Sequence, residues 1–265
     1  MNLTQSIINL SSCDTATSPN TGADTGCGPD VRIFCVTHRD YPLLPMAEEN
    51  NTILVGMNEA NINIKTRDYY PEISKVNILY NEVEAEKYIR EHVNSHIKGL
   101  YQYSYRPDMS VDDVKNVLQT HKAICNLDNI GNMYQHYCVC HCPKPWETML
   151  DILKEKGLDI DQIIHNGIIY SRHILITTND LFNDYFDFAW PIIQEVQRRL
   201  NLYTIEDAER IVKEKYGPNY PHIQYQTRII GFLTERLWTI WYLLHYKAEE
   251  IYIPKFVQYK KLPLG

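Results

Sequence analysis

The chain has 265 residues and a formal net charge of −7, with a pI near 5.8. That length suffices for one large α/β domain with a sizeable core. The acidic balance and the lack of a basic run exclude a phosphate-tracking nucleic-acid surface, and no run of about 18 apolar residues is present to span a bilayer. Met1–Leu10 is too polar for a secretory signal. The seven cysteines are odd in number and irregular in spacing, which argues against a disulfide framework and for the reducing cytoplasm.

Residues 1–30 are rich in Ser, Thr, Asn, Asp and Gly without a period and are expected to form a flexible tail; residues 31–265 are expected to form a single domain. Val31–Val36 reads as a first, central strand ending at Thr37-His38-Arg39, and Thr52–Gly56 as a second. Ser74 is expected to cap a helix whose apolar spacing runs through Val83, Tyr88, Ile89 and Val93. Ile97–Tyr103 reads as the next strand, broken at Arg106-Pro107-Asp108 because proline removes a ladder donor.

Ser110 and Asp113 open a helix over 110–119, and Ala123–Leu127 reads as a further strand. Trp146–Lys156 reads as a helix ended by Gly157. Gly167–Tyr170 and Ile174–Thr177 read as two strand pieces. Asn179 is expected to cap a long helix through Leu200, bent or broken at Pro191. Thr204 and Asp207 open another helix, ended by Gly217-Pro218. Gly231–Tyr246 is an apolar helix and Ile251–Ile253 a short terminal strand. This alternation implies an α/β fold with a mixed sheet flanked by helices and a helical C-terminal half.

Two sets of residues invite a metal reading. Cys138, Cys140, His141 and Cys142 are packed too closely for the usual zinc spacing, so buried thiols on a strand are the preferred reading. Asp159 and Asp161 have the spelling of a metal-binding pair but follow a Gly-terminated helix, where such residues commonly cap.

Tyr225–Leu237 is the most informative stretch, because it sets Arg228, Glu235 and Arg236 at the mouth of an otherwise apolar helix. Buried ions need a partner or a ligand. The stretch resembles the Gln-x-Arg-x-x-Gly-Phe-x-Ser-Glu-Arg-Leu signature of a family of capsular and exopolysaccharide glycosyltransferases long catalogued as a domain of unknown function. Val36–Arg39, Ile73–Asn77 with Tyr80 and Glu82, Gly99–Tyr103 and Asn166–Ile169 are similar to further segments of that family, in the same order.

The resemblance implies a GT-A-like fold, a nucleotide-diphosphate-sugar donor such as a UDP-sugar, a glycan acceptor and a role in polysaccharide or surface-glycan biosynthesis; galactofuranose is one sugar used in the family. It implies donor contacts from Thr37, His38, Arg39, Asn77, Tyr80, Gln102, Tyr103 and Arg106, and acceptor or sugar contacts from His141 and Asn166. Gln102, Ser104 and Tyr105 depart from the family's His and paired arginines at the end of the Gly99 strand, with Arg106 one position later.

No acidic pair stands at that strand end, so a divalent metal (Mn or Mg) is disfavoured and arginine or lysine side chains are expected to hold the diphosphate. Glu235, expected in the first helical turn where the dipole favours a carboxylate, is the expected base for an inverting transfer, with Arg236 or Arg228 at the leaving phosphate. The competing readings are a structural Glu235–Arg pair, an inactive nucleotide- or glycan-binding module, and a zinc-stabilised interaction protein built on Cys138–Cys142.

Overall fold

The structure, a computed structural model, describes residues 30–39 and 51–258. The expected tail, apart from Asp30, lies outside the described residues. The strands are β1 (Val31–Thr37), β2 (Thr52–Leu54), β3 (Ile64–Lys65), β4 (Ile97–Gln102), β5 (Tyr105–Pro107), β6 (Ala123–Asn129), β7 (Ile168–Thr178), β8 (Ile251–Tyr252) and β9 (Phe256–Gln258). The helices are α1 (Pro71–Lys75), α2 (Asn77–Tyr80), α3 (Val83–His92), α4 (Val111–Val117), α5 (Met133–Cys140), α6 (Pro143–Glu155), α7 (Asp161–Ile164), α8 (Asn179–Leu200), α9 (Ile205–Tyr216), α10 (Ile223–Gln226) and α11 (Ile229–His245).

Among the described residues the nine strands form one mixed sheet in the order β3-β2-β1-β4-β7-β6-β8, with β5 and β9 paired beyond the end of β4. β1 to β4 run parallel. β7 is antiparallel to both β4 and β6, so β6 runs in the same sense as β4. The carboxyl ends of β1, β2, β4 and β6 therefore meet at one edge, where open α/β sheets bind ligands.

Alternation along the strands sorts the core into two faces. Phe34, Val36, Leu100, Cys125 and Leu175 join the large cluster under α3, α6, α8 and α11. Ile97, Ile124 and Ile176 point the other way, against Val114 of α4. Gly99 lets β4 and β7 close up: a Cβ there would lie 2.2 Å from the Leu175 carbonyl oxygen. Lys98, fully buried, donates to the Ile89 and Val93 carbonyls at the end of α3 and to Asn183 Oδ1 of α8.

Several expectations need correction. Ser74 caps no helix; it lies inside α1 and its hydroxyl donates to Glu84. Pro107 does not end the sheet, because the chain reverses after Gln102 and enters β5. The two strand pieces around residues 167–177 are one strand, β7, interrupted by a bulge. Thr178, not Asn179, is the N-cap of α8, which runs without a break past Pro191. Cys138 and Cys140 sit on α5 rather than on a strand, and Cys140 is exposed.

α11 starts at Ile229, so Glu235 lies in its second turn and the helix dipole does not act on it as expected. The capping boxes of α4 at Ser110 and of α9 at Thr204 are present, and no described helix is long and apolar enough to cross a membrane.

Candidate active site

A cleft opens at the carboxyl edge of the parallel strands and has two lobes. The outer lobe, about 640 Å³, lies over the ends of β1, β2 and β4 and includes Thr37, His38, Gly56, Asn77 and Tyr103. The inner lobe, about 500 Å³, lies between β6, β7 and the first turns of α11 and includes Asp128, His141, Arg172, Glu235 and Arg236. Asn81, Glu82, Gln102 and Arg228 line both lobes and form the waist between them.

The outer lobe is shaped by backbone. The Thr37 hydroxyl donates to the Arg39 carbonyl at 2.7 Å, closing the turn after β1. His38 stands edge-on to Tyr103, with ring centroids 5.4 Å apart. Gly56 has φ of 77°, and a Cβ there would come within 3.2 Å of Asn77. The buried Glu84 ties this wall together, accepting from the Gly56 amide at 3.2 Å, from Asn77 Nδ2 at 2.6 Å and from Ser74. Burial raises the Glu84 carboxyl above its usual range, with these donors opposing the shift.

At the waist, Gln102 Nε2 donates to Glu82 Oε1 at 2.9 Å, and Arg228 Nε donates to Asn81 Oδ1 at 2.9 Å. Asn81 holds φ at 53° and ψ at −123°, a conformation that favours glycine. Gly231 makes room for it, since a Cβ on Gly231 would lie 3.0 Å from Asn81 Nδ2. Among the described residues neither Nη1 nor Nη2 of Arg228 has a hydrogen-bond or ion-pair partner, and its guanidinium lies 5.7 Å from the Tyr225 ring centroid.

In the inner lobe the 3.6-residue period of α11 carries Arg228, Phe232, Glu235 and Arg236 onto one face. Arg236 is 2% exposed; its Nη1 donates to the Phe232 carbonyl at 2.8 Å and to Glu235 Oε2 at 3.1 Å. Glu235 Oε1 accepts from the backbone N–H of Arg172 at 2.6 Å. Each carboxylate oxygen thus has a donor and keeps a second lone pair. His141 stacks on Phe232 at 3.9 Å, and its Nδ1 lies 3.2 Å from Gln226 Oε1. Burial, reinforced by the charge of Arg236, lowers the His141 pKa to about 3 and also lowers that of His136, so both rings are neutral.

The cleft brings together Thr37, His38, Asn77, Gln102, Tyr103, His141, Arg228, Glu235 and Arg236. Other expected site residues lie elsewhere. Tyr80 is buried in the core, its hydroxyl accepting from Gln197 Nε2 at 2.8 Å. Arg106 borders a separate cavity of about 70 Å³ with Val31, Ile33 and Met109. Arg39 folds its backbone onto Thr37 outside both lobe walls. Asn166 gives its carbonyl to the Met133 amide at the start of α5 and lines neither lobe.

Residues not anticipated include Asn81, Asp128, Arg172 and His173. Ser171 Oγ donates to Asp128 Oδ2 at 2.6 Å. Arg172 places its guanidinium 4.4 Å from the Tyr105 ring centroid, so a cation reaches the strand end that lacks its own arginines. Among the described residues no group of three or more His, Cys, Asp or Glu is gathered for a metal ion.

A solved apo structure of WbbM, described as a bifunctional glycosyltransferase, is similar to this fold, with a TM-score of 0.64 at 14% identity over 86% of this chain. The chain spans 45% of that protein's length, and likeness at this identity is likeness of fold. No curated protein matches the sequence. The sequence does match the family described as a domain of unknown function, DUF4422, over residues 32–247. That span takes in both lobes of the cleft, and the chain belongs to the DUF4422 family.

Proposed function

We propose that this chain is a glycosyltransferase of GT-A type that moves a sugar from a nucleotide diphosphate donor, with UDP the first candidate, to a glycan acceptor. Polysaccharide or surface-glycan assembly in the cytoplasm is the proposed setting. The observation that carries this reading is Arg228 at the waist between two cavities, a cation whose terminal nitrogens have no hydrogen-bond partner among the described residues. A nucleotide in the outer lobe would set its diphosphate against that guanidinium, and the sugar would project into the inner lobe. The glycosyltransferase fold of WbbM supports the reading at the level of architecture.

In the proposed inverting step, Glu235 takes the proton of an acceptor hydroxyl, and the oxygen forms a bond to the anomeric carbon from the face opposite the diphosphate. The bond from that carbon to the phosphate oxygen breaks, and its electron pair leaves with the nucleoside diphosphate. Arg228 stabilises the charge that develops there. The Arg172 N–H and Arg236 Nη1 hold Glu235 in place, while Asp128 and the neutral His136 and His141 offer acceptors to sugar hydroxyls. The countercharge is assigned to arginine, and chelation tests the need for Mn²⁺ or Mg²⁺.

The test is a thermal-shift screen with UDP, GDP, CDP, TDP and their sugars, with Mn²⁺ or with EDTA, followed by transfer assays. A nucleotide at 100 times its Kd adds about 2.7 kcal/mol to stability. UDP is expected to stabilise the protein equally with Mn²⁺ and with EDTA. Glu235→Gln is expected to retain UDP binding and to lose about 10²–10⁴-fold in kcat. If no nucleotide shifts the melting transition, the reading is wrong. Binding without transfer by the unaltered protein would leave a nucleotide-binding module.

A further inference from the structure

β7 loses register with β6 at one place. Ser171 pairs with Asn126 and Leu175 with Cys125, so Arg172, His173 and Ile174 are extra residues on β7. Arg172 has φ of 63° and His173 φ of 48°. Neither is glycine, and consecutive left-handed residues of this kind persist only where their surroundings over-determine them.

The surroundings here are specific. The His173 side chain is 5% exposed; its Nδ1 lies 2.9 Å from Glu86 Oε1 on α3 and its Nε2 lies 3.0 Å from the Gly231 carbonyl oxygen on α11. A carboxylate and a carbonyl can only accept, so both ring nitrogens donate and the ring is an imidazolium. The neighbouring Arg172 amide points instead at Glu235 Oε1, 2.6 Å away. In a regular strand that amide would be spent in the ladder or on solvent. The bulge frees it to serve a side chain.

We propose that His173 is a positioning residue for Glu235: by clamping the β7 bulge between α3 and α11, it aims the Arg172 amide at the carboxylate and fixes that carboxylate in the inner lobe. The proposal deepens the reading of Glu235 as base and rests on it for its catalytic consequence. The clamp itself is a structural claim that can be tested without any substrate. Gly231 serves the same arrangement twice, through the carbonyl that receives His173 and through the missing Cβ that admits Asn81.

The experiment uses the full chain with His173→Gly, a substitution that accepts a left-handed backbone at no steric cost. The first readout is solvent exchange of the Arg172 amide by NMR, expected to quicken at least about ten-fold and to slow again when imidazole is added. The second is transfer from a UDP-sugar, expected to fall about 10- to 100-fold in kcat with an unchanged KM for the donor, and to recover with imidazole.

Unchanged amide exchange would overturn the proposal, as would a raised KM at constant kcat. Should His173→Gly fail to fold, Glu86→Gln removes the charged acceptor and is expected to release the same amide. An unaltered protein that binds no nucleotide would sink the glycosyltransferase reading while leaving the amide measurement to judge the clamp.

Discussion

His173 and Lys98 are both buried cations, yet their surroundings shift them in opposite directions. Burial works against the His173 charge, but the hydrogen bond and charge of Glu86, with Glu82 and Glu235 beyond, outweigh it and raise the pKa from 6.5 to about 9. The folded protein keeps this proton after the unfolded chain has lost it, so the stabilisation is complete below 6.5 and disappears as pH rises to about 9. Among the described residues the hydrogen-bond partners of Lys98 are carbonyl and amide oxygens; burial, with the charge of Arg90, lowers it from 10.5 to about 8.

The unfolded chain therefore holds the Lys98 proton longer, and this group adds stability as pH rises from about 8 to 10.5. Comparing the protein with His173→Asn, which keeps a left-handed-tolerant residue but cannot reach both partners, cancels the Lys98 contribution. The stability advantage over the variant, from urea unfolding, is expected to shrink by up to about 3 kcal/mol between pH 6.5 and 9. A pH-independent difference would show that the His173 ring is not charged in the folded protein.

At the scale of elements, the pairing of β4 with β7 depends on Gly99. A methyl group there meets the Leu175 carbonyl oxygen at 2.2 Å and Ile176 Cα at 2.5 Å, both backbone atoms of a central strand. Gly99→Ala is expected to cost about 3 kcal/mol, read from the urea midpoint, and a change under about 0.5 kcal/mol would mean that the two strands separate easily. Most strands and helices are legible because their patterns are local: short β-rich apolar runs in β1, β4 and β6, and capping boxes at Ser110 and Thr204.

The bulge was legible only as an interruption. Arg172-His173 breaks an apolar run, which reads as two strands when the register of β6 is unknown. The β5 turn was hidden because Pro107 sits in a strand whose partners are β4 and the distant β9. Tyr80 and Arg106 stand in or beside segments that resemble the family, but the directions of α2 and β5 carry Tyr80 into the core and Arg106 to another cavity.

For the molecule as a whole, the cleft is where three distant parts of the chain meet: the ends of β1, β2 and β4, the β6–β7 bulge, and the first turns of α11. Arg228, Glu235 and Arg236 could be singled out because charges on an apolar helix are locally anomalous. Asp128 and Arg172 could not, since each is an ordinary polar residue until the register of β6 against β7 places it in the inner lobe. Asn81 needed the close approach of α11 at Gly231, whereas Glu82 already stood out beside Asn77 and Tyr80 in the sequence.

The family match stops at residue 247, whereas β8 and β9 follow it. β8 pairs with Ala123 and Ile124 at the start of β6, and β9 pairs with β5 and stacks Phe256 on Tyr105 at 4.8 Å, the ring that also meets the Arg172 guanidinium. A chain trimmed to the family boundary would keep every residue of both lobes and yet uncover the backbone donors and acceptors of Ala123 and Ile124 in β6 and those of β5. Open edges recruit other copies. The trimmed protein is expected to scatter more light than the full chain at equal concentration, and equal scattering would show that β8 is dispensable as a cover. The final segment thus acts as a hem, leaving the two-residue β8 as the edge beside the start of β6.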